Sequence, residues 1–286
     1  MAERLSDVEA RIGSVSQLSA VITAMRGIAA VRSHEAAARL PGIRTYADTV
    51  GEAIAQALAL LAERPPALAP APATATRQLV IAVCAEQGFV GSFNARILDA
   101  AAAALARSPA SDLIIVGSRG TASAAERGLE ADLTMAMATH SDQLPGLANR
   151  LADRLFERLQ RGPLSPITIV HAVPAAPGAA AGTVTEVALF PFDFGRFPPV
   201  SHARPPLIQL PAATLLERLA DEYVFAQLCE ALTLSYAAEN EARMRAMVAA
   251  RANVHAKLDD LRGHARRLRQ EQITEEVVEL AAGSER

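Results

Sequence analysis

Tryptophan is absent from the 286 residues and aromatic side chains make up only 4%. With Ala, Leu, Glu and Arg abundant instead, the composition favours long helices over a sandwich or barrel of many strands. Cysteine is almost as scarce. Cys84 and Cys229 lie far apart, and neither has a Cys or His neighbour at metal-ligand spacing, so neither a disulfide framework nor a zinc site is supported. Buried free thiols are the plainer reading. Charge of one sign is missing too. A formal charge of −3 and a pI near 6.1 exclude the broad field of a protein that binds nucleic acid or anionic lipid over its whole surface. No consecutive run approaches 18 apolar residues, and the start, Met-Ala-Glu-Arg before a charged amphipathic stretch, lacks the apolar core of a signal peptide. The expectation is a soluble, cytoplasmic chain that does not itself insert into a membrane. What is plentiful is apolar material: 51% hydrophobic residues are ample for a core and exclude a disordered tail.

From Leu5 the apolar residues step through Val8, Ile12, Val15, Leu18, Ile22, Met25 and Ala29, nearly all at three-four spacing. This lays one narrow stripe, a coiled-coil seam, along a helix. The pattern resumes after Pro41-Gly42 and runs to about Ala62, giving roughly 90 Å of helix that Pro41 should kink or break. Arg64 to Thr76, rich in Pro and Ala, reads as a linker. A different grammar follows. Strands are expected at Gln78–Cys84, Asp112–Gly117, Leu133–Thr139 and Ile167–His171, alternating with helices after Phe93, near Thr121 and from about Asp142 to Gln160, which implies a small, mainly parallel sheet. Thr183–Phe190 adds a strand at an edge. From Ala212 to Ala282 there is no proline and the only glycine is Gly263, so the chain ends in one helix of order 105 Å. A helix that long needs another long helix beside it, and the first element is the obvious partner. The expected architecture is therefore mixed α/β and α+β: an antiparallel coiled coil of N- and C-terminal helices (1–62 and 211–286) carrying a central Rossmann-like α/β domain (63–210). Opposed positions should sum to about 274, setting Met25 against Met247 to Arg251 and Leu5 near Arg269.

Chemistry is sparse. Gly88 to Asn94 follows a strand and opens a helix where a phosphate loop would sit, but it lacks the Lys and Ser/Thr of a Walker loop and the third glycine of a dinucleotide fingerprint. A tight turn with Ser92 or Asn94 near the cap is the better reading, and Gly117 to Gly120 is a second such turn. The six histidines form no pair at helical ligand spacing and none adjoins a plausible nucleophile. Carboxylates interleaved with arginines, as in Glu239, Glu241, Arg243 and Arg245, describe a solvated helix face. Arg262, Arg266, Arg267 and Arg269 make the last helix locally basic, either as a solvated face or as a contact for an acidic partner.

Three segments resemble the gamma subunit of F-type rotary ATP synthases. Ile22-Thr-Ala-Met-Arg-Gly-Ile-Ala-Ala30 is similar to the family's Ile-Thr-Lys-Ala-Met-Lys-Met-Val-Ala, with the intervening Lys absent and Gly27 in place of a bulky residue. Glu241-Ala-Arg-Met-Arg-Ala-Met247, with Ala250, Asn253, Leu258, Leu261 and Arg269-Gln-Glu-Gln-Ile-Thr-Glu-Glu276, looks like its most recognisable stretch. Gln87 to Asn94 is similar to its Gly-Leu-Cys-Gly-Gly-Leu-Asn turn. The resemblance implies a non-catalytic central-stalk subunit without cofactor or metal, peripheral at the cytoplasmic face of the cell membrane. Its partners would be the alpha and beta subunits, epsilon and the c-ring, with no nucleic acid. Met25, Arg26, Arg269, Gln270 and Thr274 match family positions that contact alpha and beta. The departures, together with the Leu189–Phe194 and Arg204-Pro-Pro-Leu inserts, suggest a divergent second-operon, sodium-translocating variant. The residues leave two other readings open: a nucleotide-binding α/β enzyme with helical arms, and a coiled-coil scaffold.

Overall fold

The structure, a computed structural model, describes residues 4–61, 77–108, 110–161, 164–176, 178–179, 181–198, 200 and 206–283. The linker expected over Arg64–Thr76 and the start of the Arg204 insert lie outside these residues. The elements are α1 (Leu5–Ala59), β1 (Arg77–Val83), α2 (Phe93–Leu105), β2 (Ser111–Val116), α3 (Ser118–Ala125), β3 (Leu133–Met135), α4 (Leu144–Arg161), β4 (Leu164–Val173), β5 (Thr183–Phe190) and α5 (Ala212–Gly283). They form two compact units, Met1–Ala29 with Arg243–Arg286 and Ala30–Ala242, and each long helix contributes to both.

In the larger unit the five strands stand in the order β3-β2-β1-β4-β5. β1 pairs in parallel with β2 and β4, β2 in parallel with β3, and the edge strand β5 runs antiparallel to β4. Because successive side chains alternate across a sheet, the apolar runs divide between two layers. Leu79, Ile81, Val83, Ile114, Val116, Ile167 and Ile169 meet α4, α1 and α5, whereas Val80, Ala82, Cys84, Leu113, Ile115 and Val170 meet α2 and α3. α4 seats itself through Leu144, Leu147, Leu151 and Leu155, a helical stripe whose side chains are each worth about 1.5–3 kcal/mol when fully buried. At the start of β2 the buried Asp112 carboxylate is bracketed by Arg77 Nε at 2.6 Å and Arg158 Nη1 at 2.8 Å, the double pairing a buried charge requires. Gln78 Nε2 donates to the carbonyls of Ala104 and Leu105 at 2.8 and 2.9 Å, satisfying groups that the end of α2 leaves open.

α5 departs most from an ordinary amphipathic helix here, since every residue from Ala231 to Asn240 is buried. A helix enclosed on all sides must satisfy its polar groups internally. Thr233 donates to the Cys229 carbonyl at 2.6 Å, Asn240 to the Tyr236 carbonyl at 2.9 Å, and the Tyr236 hydroxyl to the Thr139 carbonyl at 3.0 Å. α1 lies antiparallel alongside, with Ser33 Oγ on the Ala237 carbonyl at 3.2 Å and Arg44 Nε on Glu230 Oε1 at 2.7 Å, in agreement with the expected register.

In the smaller unit the seam forms along the predicted stripe except at Leu18, which is exposed. Ile22, Met247, Val254 and Leu258 make one buried cluster with Met25 packed on it, and Val8, Leu261 and Ala265 make another flanked by Leu5 and Leu268. Glu9 pairs with Arg269 at 2.6 Å. By composition α1 would pass for a membrane span, because its most apolar window of 18 residues has a mean hydropathy of 1.3 although no unbroken apolar run reaches that length. Ile22 of this helix is buried against α5, while Leu18, Val21, Ile28 and Val31 are exposed.

Three local expectations need correction. The carboxylates and arginines read as a solvated face of α5 are not one, since Glu239 and Arg243 are buried and Glu241 and Arg245 half-buried. Of the kink or break expected at Pro41, the break does not occur, because α1 is continuous from Leu5 to Ala59. Pro41 and Ala37 are exposed, so the carbonyl deprived of its helical donor faces water, while Ala36, Val50 and Ile54 hold both flanks in the core. β3 stops at Met135 rather than Thr139, and two residues on the Met137 amide donates to the Glu86 carboxylate at 2.7 Å rather than to a strand.

Candidate functional site

An open α/β sheet binds ligands outside the carboxyl ends of its strands, where the strand order reverses. Here the reversal lies between β1 and β4. α5 fills that crevice. Ser235 Oγ donates to the Val83 carbonyl at the end of β1 at 3.0 Å and accepts from the Ala172 amide of β4 at 3.4 Å. Six residues on, the Glu241 carboxylate accepts from the Ala175 amide at 2.8 Å.

Both strand-end turns direct their polar groups back onto the chain. In the Gly88–Asn94 loop, Phe89 and Gly91 adopt left-handed backbone (φ 60° and 57°), and the buried Asn94 Oδ1 accepts from the Ala85 amide at 2.9 Å. Ser92 occupies the cap position without a side-chain cap bond. Its φ and ψ of −83° and 11° lie away from the extended cap geometry, so the tight turn places Ser92 at the cap as expected, but its hydroxyl makes no cap bond. At the second turn Glu86 sits at the N-terminus of α3, accepting from the Ser118 amide at 3.1 Å, the Ser118 hydroxyl at 2.7 Å and the Met137 amide. Burial pushes this carboxyl up, but the bonds from Ser118 and Met137 outweigh it and hold it below its ordinary value. A helix N-terminus that could take an anion therefore already holds the chain's own carboxylate.

The two thiols and the histidine of β4 are muted. Burial, with a contribution from Glu239, pushes the Cys84 thiol up to about 12, and burial alone takes Cys229 to about 11, so both are thiols rather than nucleophilic thiolates at neutral pH. His171 is buried in β4 with Nδ1 3.2 Å from the Ala172 carbonyl, and burial lowers its pKa.

The residues matched to partner-contacting positions fall at two levels of the smaller unit. Met25 is half-buried on the Ile22–Met247 cluster and Arg26 beside it is exposed. Arg269 is held by Glu9, while Gln270 and Thr274 are exposed, with Thr274 Oγ1 bonded to the Gln270 carbonyl at 2.8 Å. Met247 and Arg269 are 22 positions apart on one helix, so the levels are separated by about 33 Å. Of the basic cluster, Arg262 lies 3.6 Å from Asp259, and Arg266 and Arg267 are exposed. Sequence reasoning missed Glu86, Ser235 and the bracketed Asp112. It noted the Phe-rich run at 190–194 only as an insert.

A family model described as ATP synthase matches residues 4–285. The ATP synthase gamma chain of Rubrobacter xylanophilus is 30% identical over 298 aligned residues, covering 98% of this chain and 97% of the relative. The chain belongs to the ATP synthase gamma-chain family. The gamma chain of Bdellovibrio bacteriovorus is 27% identical with 98% of each chain covered. Among solved structures, a chain of the Euglena gracilis mitochondrial ATP synthase (OSCP/F1/c-ring) superposes with a TM-score of 0.65 at 12% identity, over 98% of this chain and 93% of its own, which establishes a common fold. Membership makes the protein a component of ATP synthase, a membrane-associated complex, and the pair of long helices with a central α/β sheet is the fold of its central-stalk subunit.

Proposed function

We propose that the chain is the rotating shaft of an ATP synthase, has no active site of its own and works at the cytoplasmic face of the cell membrane. Functionally it divides at 1–62, 63–210 and 211–286. The paired helix ends turn within the ring of alternating alpha and beta subunits, and the α/β domain meets epsilon and the c-ring. Met25, Arg26, Arg269, Gln270 and Thr274 contact the catalytic subunits. The exposure of Arg26, Gln270 and Thr274 supports that role.

The observation that carries the reading is the filled crevice. A nucleotide-binding α/β enzyme needs the strand ends that Ser235 and Glu86 occupy, so the helix that makes the shaft removes the site that would make an enzyme. The test is to purify the chain alone and with alpha and beta subunits. The isolated chain should neither bind nucleotide nor hydrolyse ATP, and in the assembled head a bead fixed to the α/β domain should rotate when ATP is added. Turnover by the isolated chain would restore the enzyme reading, and self-association without binding to alpha and beta would favour a scaffold.

A further inference from the structure

β5 leaves the sheet through a Phe-rich strap that touches both long helices at once. Phe192 and Phe194 are buried in the core of the larger unit, with ring centroids 4.8 Å apart. Asp193 Oδ1 accepts from the Gly195 amide at 2.8 Å and fixes the short turn Phe194–Arg196. The Phe197 ring stacks on Phe192 at 5.9 Å and meets Tyr223 of α5 edge-on at 5.0 Å, and Tyr223 also stands perpendicular to Phe192 at 5.8 Å. Arg196 lies 5.6 Å above the Tyr223 ring. On the other side Phe197 lies against α1 at Gly51. A Cβ added there would sit 3.0 Å from the ring, so the absence of a side chain lets the ring settle on the helix. One turn on, the Val200 amide of the strap reaches the Ala55 carbonyl of α1 at 3.4 Å. A cavity of about 600 Å³, lined by Asp48, Glu52 and Gln56 as well as the strap, adjoins Phe197, so the ring has room to leave and is held by its ring partners.

Building on the shaft reading, we propose that this strap, with Phe197 at its centre, is a torque clasp that couples the sheet to both α1 and α5 and stops the two helices slipping past each other under load. Apolar packing alone is non-directional and yields to sliding. Interlocked rings are different, because an edge-on pair and a stacked pair cannot both persist when one helix moves relative to the other. Phe197 makes one pair of each kind, the stack with Phe192 of its own strap and the edge-on pair with Tyr223 of α5, while its other side rests on Gly51 of α1, so slip between α1 and α5 must break the edge-on pair or lift the ring off α1. Phe197 and Tyr223 are thus positioning residues for coupling and touch no substrate.

The test uses the whole complex reconstituted in vesicles, with ATP hydrolysis and the ATP-driven membrane potential measured together so that the identity of the coupling ion does not matter. Phe197→Ala removes two ring pairs and should shift the closed-to-open ratio of the clasp by roughly tenfold. Hydrolysis should continue while the potential per ATP falls well below half. Phe197→Tyr, which keeps the ring, should restore coupling. Gly51→Leu should produce the same loss by displacing the ring from the other side, and because Leu favours a helix more than Gly does, the fold should survive. Normal potential per ATP in Phe197→Ala and Gly51→Leu overturns the clasp, as does a loss of hydrolysis and pumping in equal proportion. If the unaltered chain does not assemble with catalytic subunits, the shaft reading fails instead.

Discussion

Gly120 offers the sharpest test of the packing. On α3 it faces Cys84 at the end of β1, where an added Cβ would lie 2.0 Å from Cys84 Cβ and 2.8 Å from Sγ. Carbon atoms in contact sit about 3.5–4.0 Å apart, so Gly120→Ala must lift α3 off the sheet by roughly 1.5–2 Å or displace the strand end. Overpacking of this kind costs about 1–3 kcal/mol or somewhat more, partly offset by the gain of about 1 kcal/mol for Ala over Gly within a helix. Since an approach as close as 2.0 Å takes the upper end of that cost, a net loss of about 2 kcal/mol should follow, at roughly 2–4 °C in Tm per kcal/mol for a body of this size. The partner change makes the reasoning testable. With Cys84→Gly the nearest atom to the new Cβ is the Cα of residue 84, at an ordinary 3.5 Å. Cys84→Gly alone loses a buried side chain and stiffens nothing, at a cost of about 1–2 kcal/mol. The double variant should be no less stable than Cys84→Gly alone, a coupling of about 1–3 kcal/mol in the relieving direction. Urea unfolding followed by far-ultraviolet circular dichroism reads all four corners of the cycle. If Gly120→Ala keeps the parent midpoint, or if the two changes add, the close approach of α3 to β1 is wrong.

Ser235→Ala should destabilise the fold by about 1–3 kcal/mol by stripping the Val83 carbonyl and the Ala172 amide of a buried partner, and calorimetry of that variant should still find no ATP binding. His171, depressed by burial, should make folding stability complete above its ordinary pKa of 6.5 and diminish it as pH falls below that, since the unfolded chain then binds the extra proton; urea midpoints for His171→Gln should be flatter across that interval. Glu86 acts in the same direction lower down, with its contribution complete above 4.5 and lost as acid titrates the folded carboxyl, so Glu86→Gln should flatten the acid limb of the same curve. With Cys84 and Cys229 replaced by Ser, Met25→Cys should form a disulfide within one chain to Met247→Cys or Ala250→Cys, which share its cluster, and not to a cysteine at Leu219.

The sequence made legible whatever rests on local pattern. The three-four stripe from Leu5 to Ala29 and the proline-free run from Ala212 led directly to α1 and α5, and the short apolar runs at Gln78, Asp112 and Ile167 led to the parallel strands. What stayed hidden depends on partners far apart in the chain. Ser235 and Val83 are separated by 152 positions, and nothing in Leu-Ser-Tyr distinguishes a hydroxyl that closes a crevice from one on a solvated face. Glu86 likewise acquires its role only when Ser118 and Met137 fold over it. Pro41 left a break open because helix propensity describes an isolated segment, whereas Ala36 and Ile54 anchor this one from both sides. The partner-facing residues came from the family motif, since exposed polar positions such as Gln270 and Thr274 carry no periodic signal of their own.

The polar residues in the buried stretch of α5 explain why a shaft would keep them at all. An all-apolar helix could fill the space beside the sheet, but it could settle at several heights and rotations, because apolar contact sets no register. Strand ends also present main-chain donors and acceptors that an apolar plug would leave unsatisfied. Ser235 on Val83, Tyr236 on Thr139 and Glu241 on Ala175 answer both needs within seven residues, each binding a different segment of the domain. Their directions fix the height and the rotation of α5 relative to the sheet, since a shift of one residue turns a helix by 100° and breaks all three. A ligand crevice supplies such donors and acceptors ready-made, so closing it with a helix turns a binding site into a keyed socket. That is the property required where turning force passes between a domain and its axle.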